Sequence, residues 1–152
     1  MLMTGSGPID AERAFIQAAR SRRRAALARR LRREPAGRDR LPVYDERALA
    51  RSGAPGRGIR EIPLEAISGT LEPSRATLFD RCFRPAGGAR RRWQRLWLAE
   101  HSGAVLPPIS VVPVGDAYAV RDGHHRVPVA RARGALTIAA TVDTVQPGLG
   151  SA

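Results

Sequence analysis

The chain has one cysteine, Cys82, and no lysine among its 152 residues. A single thiol excludes an internal disulfide framework and suits a reducing compartment. No apolar run approaches the ~20 residues that a bilayer-spanning helix needs. The opening MLMTGSGPIDAERAF also lacks the charged-then-apolar order of a secretory signal. The chain therefore reads as cytoplasmic and of bacterial type, with no membrane span. There is no CxxC and no HExxH, so no zinc site is expected, and nothing calls for haem or flavin. The lack of lysine has a bland source in GC-rich coding. It nonetheless leaves only arginine as a cation, with a planar fork that can grip a phosphate at two points.

The charge is unevenly placed. Through Gly58 there are 14 Arg against 6 acidic residues, and from Ile59 onward 12 against 8, so the part before Ile59 carries most of the net +12. Core-forming residues run the other way. Leu, Ile, Val and Phe number 9 in the 58 residues before Ile59 but 23 in the 87 from Ile59 to Val145. This divides the chain into a basic helical arm and linker over 1–58, one domain over 59–145, and a flexible tail over 146–152. The length suits one compact core.

In the arm, AERAFIQAARSRRRAALARRLRRE favours a helix entered at Pro8 and Asp10 and stopped by Pro35 and Gly37. Its apolar stripe of Phe15, Ile16, Ala19, Leu27 and Leu31 is narrow, so the helix is expected to pack on the domain or fold on a partner. Arg20, Arg22, Arg23, Arg24, Arg29, Arg30, Arg32 and Arg33 wrap the remainder and are candidate nucleic-acid contacts. DNA or an acidic protein is the partner such a surface fits. A solvated basic face without a ligand is the alternative.

From Ala36 to Gly58 the sequence reads as linker with a short helix at residues 43–50, bounded by the SGAPGRG run. REIPL predicts the first strand and LEAIS a turn of helix. TLFDRCF sets Leu78, Phe79, Cys82 and Phe83 at helical spacing facing the core, with Cys82 a buried, inert thiol. ARRRWQRLWLAEHSG predicts a helix closed by Gly103, with Trp93, Leu96 and Trp97 packed on one face and His101 where the helix dipole suits it. LPPISVVPVGDAYAV reads as a hairpin around Gly115-Asp116, VPVARARG as a helix closed by Gly134, and TIAATVDTV as the last strand. Strand, helices, hairpin, helix, strand is an α+β layout with helices against a small mixed sheet.

RDGHHRV, Arg121 to Val127, falls where the hairpin hands over to a helix. Gly123 lets the chain turn sharply, and N–H groups at the start of the helix then face the same way as two imidazoles and a guanidinium, as in an anion site. An ordinary strand-to-helix turn has the same composition. Pro128 would remove a backbone bond from a helix begun at His124, so regular helix is expected one or two residues later.

These residues, with LPPISV before them and REIPLEAISGT further upstream, resemble the ParB/sulfiredoxin superfamily over roughly residues 59–145. ParB proteins carry a pattern close to GERR at this junction and sulfiredoxins GCHR; here it is Gly123-His124-His125-Arg126. The resemblance implies a ParB/sulfiredoxin-like mixed sheet, with nucleotide phosphates held by those four residues and a nucleoside triphosphate with magnesium as the cofactor. It points to a ParB-like, DNA-associated or regulatory protein related to chromosome partitioning. His124 stands where sulfiredoxins have their nucleophilic cysteine, so sulfinic acid reduction is not expected. Nothing in the chain resembles the helix-turn-helix domain or dimerisation segment of full-length ParB, so centromere-type sequence reading is not expected either.

The alternative is a small enzyme on the same fold, a kinase-like phosphotransferase or a nuclease. Phosphoryl transfer needs a phosphate cradle, a metal-holding carboxylate and a base. Asp122 is the available carboxylate and could hold a nucleotide-bound magnesium. Glu72, in GTLEPSR, is the candidate base because acidic residues in that loop region act in the free-serine kinases that resemble this fold. A solvent-exposed loop glutamate is the plain alternative. The two imidazoles, beside a phosphate, are expected to gain a proton easily and to raise affinity as pH falls toward ~6.

Overall fold

Pro8 in the first turn, Asp10 near the positive end and Arg29 and Arg30 in the last turn favour a long first helix, α1, Gly7–Leu31. It opens the computed structural model, which describes residues 5–49 and 58–143. The SGAPGRG run before Gly58, the domain end at Val145 and the tail 146–152 lie outside those residues.

The inward face of α1 is small. Buried Ala11 and Ala14 let it approach α3 (Arg90–His101), and Phe15 meets Trp93 edge-on with ring centres 5.5 Å apart. Trp97 and Val129, the latter on α4 (Arg126–Ala132), complete this apolar cluster. Burying Phe15 alone contributes about 1.5–3 kcal/mol, so the basic helix is docked on the rest of the fold.

Five strands form one mixed sheet: β1 (Ile59–Pro63), β2 (Ile67–Thr70), β3 (Ile109–Val114), β4 (Ala117–Asp122) and β5 (Thr137–Val142). Their order is β1-β5-β3-β4-β2. β1 pairs antiparallel with β5 and β3 with β4, while β5–β3 and β4–β2 are parallel. The fold is thus α+β, as the sequence order implies. The β3–β4 hairpin turns at Gly115, φ +59. Ile62, Val111, Val120, Val127, Ile138 and Val142 belong to the main core.

Three local readings change. ISGT is a strand rather than the exit of a helical turn. Only Leu64–Ala66 is 3-10 helix, and the four residues after it are held by parallel pairing with β4. TLFDRCF is not helical; it is a tight turn built on a buried carboxylate. Asp80 Oδ1 accepts the backbone N–H groups of Cys82 and Arg84, each at 2.9 Å, and Oδ2 accepts Arg84 Nε at 2.9 Å. Phe83 adopts φ +58, strained for a bulky residue, and its fully buried ring offsets that strain. Phe79 and Phe83 are core as expected, but Cys82 is only half-buried.

Finally, part of the segment read as linker is a strap. Leu41 enters the main core, Thr70 N–H donates to Pro42 O (2.9 Å) and Tyr44 N–H to Thr70 O (2.8 Å), covering the outer edge of β2. Gly69 permits this: a Cβ there would lie 2.5 Å from Pro42 O. The short helix α2 is a single turn, Glu46–Leu49. No described helix is long and apolar enough to cross a membrane.

Candidate functional site

The turn between β4 and α4 forms one wall of a cleft of about 240 Å³. Gly123 sets its shape. With φ +92 and a would-be Cβ only 2.6 Å from Ile109 Cγ2, no other residue fits without displacement. Regular helix begins at Arg126, whose N–H donates to Gly123 O at 3.0 Å, so His124 and His125 occupy an open turn as Pro128 requires.

Asp122, Gly123, His124, His125 and Arg126 all line the cleft, so the sequence motif does converge on one concavity. The apolar part of the lining comes from Leu96 on α3, then Leu106, Pro107, Pro108 and Ile109. Two further arginines complete the lining. Arg75 follows the Glu72 loop, and Arg92 projects from the first turn of α3. Neither guanidinium has a hydrogen bond or an ion pair among the described residues.

Both imidazoles are only 5% exposed. Thr70, fully buried on β2, fixes the first: its Oγ1 lies 2.5 Å from His124 Nε2 and also accepts the Glu72 N–H at 2.9 Å. His125 packs edge-on against Phe79, ring centres 5.1 Å apart. Burial, and then the Arg75 guanidinium, push His124 down to about 4, with Asp122 and the Val120 carbonyl pulling the other way. His125 is likewise pushed to about 4, by burial first and then by Arg92 and Arg75. The cleft therefore holds neutral imidazoles at neutral pH. Burial and two arginines outweigh the single nearby carboxylate, so without an anion beside them these imidazoles are harder to protonate than free histidine.

The other motif residues are differently committed. Asp122 Oδ1 accepts the Gly123 N–H at 2.9 Å. The Arg126 guanidinium bonds the Pro107 carbonyl and lies 3.5 Å from Glu100 Oε1. Glu100 Oε2 also lies 3.5 Å from Arg133, so one carboxylate of α3 ties down two arginines of α4 and its C-terminal end. Arg126 thus lines the cleft with its charge already balanced. Glu72 is exposed and does not line the cleft; only its backbone reaches the site, through Thr70. Of the α1 arginines, Arg29 pairs with Asp39 and Arg32 with Glu34, and Arg22 is half-buried with an unbonded Nε. Arg20, Arg23, Arg24, Arg30 and Arg33 are exposed, and no residue of α1 lines the cleft.

Arg75 and Arg92 were not singled out in the sequence. The one available signal was that Arg92 and Leu96 share a helical face at i, i+4.

An α+β protein with a cationic cleft at the β4–α4 turn is what fold and site define. No protein-family model matches the chain, and no curated protein does. Among solved structures it is similar to sulfiredoxin from Arabidopsis thaliana, at 23% identity and a TM-score of 0.43, over 57% of this chain and 85% of that one. That likeness lies in the fold, and at this score it carries no argument.

Proposed function

We propose that the cleft binds the phosphates of a nucleotide or polyphosphate. The observation that carries this is the pair Arg75 and Arg92, two guanidinium groups without acidic partners among the described residues that line the same cleft as the Gly123-His124-His125 turn. Unpaired arginines gathered in a concavity repel one another and depress their histidine neighbours, and an anion relieves both effects. Arg126 then shapes the wall and supports the turn, leaving the anion to Arg75 and Arg92. Among the described residues Asp122 is the one carboxylate lining the cleft, and with a nucleotide bound it would hold a phosphate-bound magnesium. The apolar wall of Leu96, Leu106 and Ile109 offers the rest of the ligand a dry surface.

The phosphotransferase or nuclease alternative has no observation in its favour, because Glu72 is exposed and does not line the cleft. A regulatory or DNA-associated setting is compatible with binding alone.

Calorimetry of the full chain with nucleoside mono-, di- and triphosphates, with and without magnesium, tests the reading. Affinity should rise with phosphate number. Arg75→Ala and Arg92→Ala should each weaken it by roughly ten- to a hundredfold, the loss of one charge-assisted contact. Both imidazoles start near 4 and a bound anion raises them, so affinity should rise as pH falls below that raised midpoint and level off below about pH 4. No binding of any of these ligands, or binding untouched by both substitutions, overturns the proposal.

A further inference from the structure

The outward face of α1 carries large aliphatic side chains where a solvated helix would carry polar ones. Ile9, Ile16, Leu27 and Leu31 are 47%, 37%, 56% and 77% exposed. At 3.6 residues per turn the four fall within about 60° of one another, opposite the Ala11, Ala14 and Phe15 face that packs on α3. Their spacing of 7, 11 and 4 residues keeps the stripe straight along the helix axis for about 33 Å. Arg13, Arg20, Arg23 and Arg24 are interleaved with it, lining a shallow groove with Ile16 and Gln17. None of those four guanidinium groups has a hydrogen bond or an ion pair among the described residues.

We propose that this face of α1 docks an acidic amphipathic helix of a partner protein, with the partner's aliphatic side chains on Ile16, Leu27 and Leu31 and its carboxylates on the flanking arginines. Charge and apolar surface together select this occupant. A second copy of the chain would set arginine against arginine. Duplex DNA would answer the arginines but leave the leucines against phosphate and water. A bilayer would take up the leucines only by drawing the interleaved guanidinium groups down with them. The complement is not supplied by the rest of this sequence, since residues 1–4, 50–57 and 144–152 contain no Asp or Glu. A helix in a groove, read by anchors one and two turns apart, is the recognition mode such a surface fits.

The test uses the full chain and four probes followed by fluorescence anisotropy. The first is a synthetic helical peptide with leucines at the 7- and 4-residue spacing flanked by glutamates. The second keeps every glutamate and replaces each leucine by alanine. The third is a short DNA duplex, and the fourth phosphatidylserine-containing vesicles. The leucine peptide should bind, and the alanine peptide should bind at least about tenfold more weakly. Leu27→Ser and Arg20→Ala in the protein should each weaken the leucine peptide, with unchanged circular dichroism because both side chains are exposed. Equal binding of the two peptides overturns the proposal in favour of charge alone. DNA or vesicle binding as tight as the leucine peptide, and unaffected by Leu27→Ser, reassigns the face to that surface. A dimer seen by sedimentation and lost in Leu27→Ser reassigns it to self-association. Failure of every probe leaves a solvated face and refutes the docking site.

Discussion

Acidification should weaken this fold through His124 and His125. Both imidazoles are buried and neutral, pushed down to about 4, against about 6.5 in an unfolded chain. With the folded value depressed, the unfolded chain binds more protons. The stability contribution is therefore complete above pH ~6.5 and is lost as pH falls toward 4. At pH 5.5 each imidazole removes about 1 kcal/mol, roughly 2–3 kcal/mol for the pair, with a local slope of about 2 kcal/mol per pH unit. That is a large share of the roughly 5–15 kcal/mol that holds a domain together.

Urea denaturation between about pH 7.5 and 5.5 measures it directly, the midpoint falling while the slope with denaturant stays fixed. The third histidine, His101, is exposed and stacked on Trp97 with ring centres 4.7 Å apart; a His101→Gln background removes it from the titration. In that background His124→Asn and His125→Asn should each remove about half of the pH dependence. Stability that is flat across this window, or that rises toward acid, would refute the burial argument.

Removing one arginine at a time should separate the two histidines. After burial, Arg75 is the largest influence on His124, and Arg92 exceeds Arg75 at His125. Arg75→Ala should therefore raise the His124 midpoint more than that of His125, and Arg92→Ala should do the reverse, as followed by imidazole carbon shifts in an acid titration; equal shifts would show that neither guanidinium is local. Gly123→Ala should cost about 1–3 kcal/mol from the clash with Ile109 alone, on top of backbone strain. Gly115→Ala, strained at φ +59 but with open space around it, should cost only about 1 kcal/mol in the same thermal melts. Equal losses would mean that the close approach to Ile109 is not what Gly123 is there for. Glu100→Gln should free Arg126 and Arg133 and tighten polyphosphate binding several-fold in calorimetry; weaker binding would show that the α3–α4 tie, rather than the free charge, sets the turn.

What was legible in the sequence was local. Gly115-Asp116 announced its hairpin, Gly134 its helix end, and Trp93 and Trp97 their buried face, because in each case the deciding neighbours lie within one turn or one strand pairing. TLFDRCF misled because its apolar spacing fits a helix equally well. The carboxylate of Asp80, which binds two backbone N–H groups and Arg84, outweighs that periodicity. β2 was missed for a related reason. Ile67–Thr70 is too short to show alternation, and its strand character comes from β4 on one side and the strap at Pro42 and Tyr44 on the other.

The site divides along the same line. The shape of the β4–α4 turn was readable from Gly123 and Pro128, whose backbone constraints act in place. The electrostatics were not, because they depend on residues brought in by packing. Arg75 and Arg92 reach the turn from 48 and 31 positions before Gly123, and Glu100, which neutralises Arg126, arrives on α3. The α3 placement in turn depends on Phe15 of α1 meeting Trp93. The basic N-terminal helix therefore acts on the cleft through its alanine and phenylalanine face rather than through its arginines. Truncation before Ile59 would remove the cluster that holds Arg92 and Leu96 in position as well as the exposed cationic face. A loss of nucleotide binding in such a fragment would then report the packing of α3, and only the point substitutions Arg20→Ala and Leu27→Ser, which leave that packing in place, can measure what the outer face of α1 does.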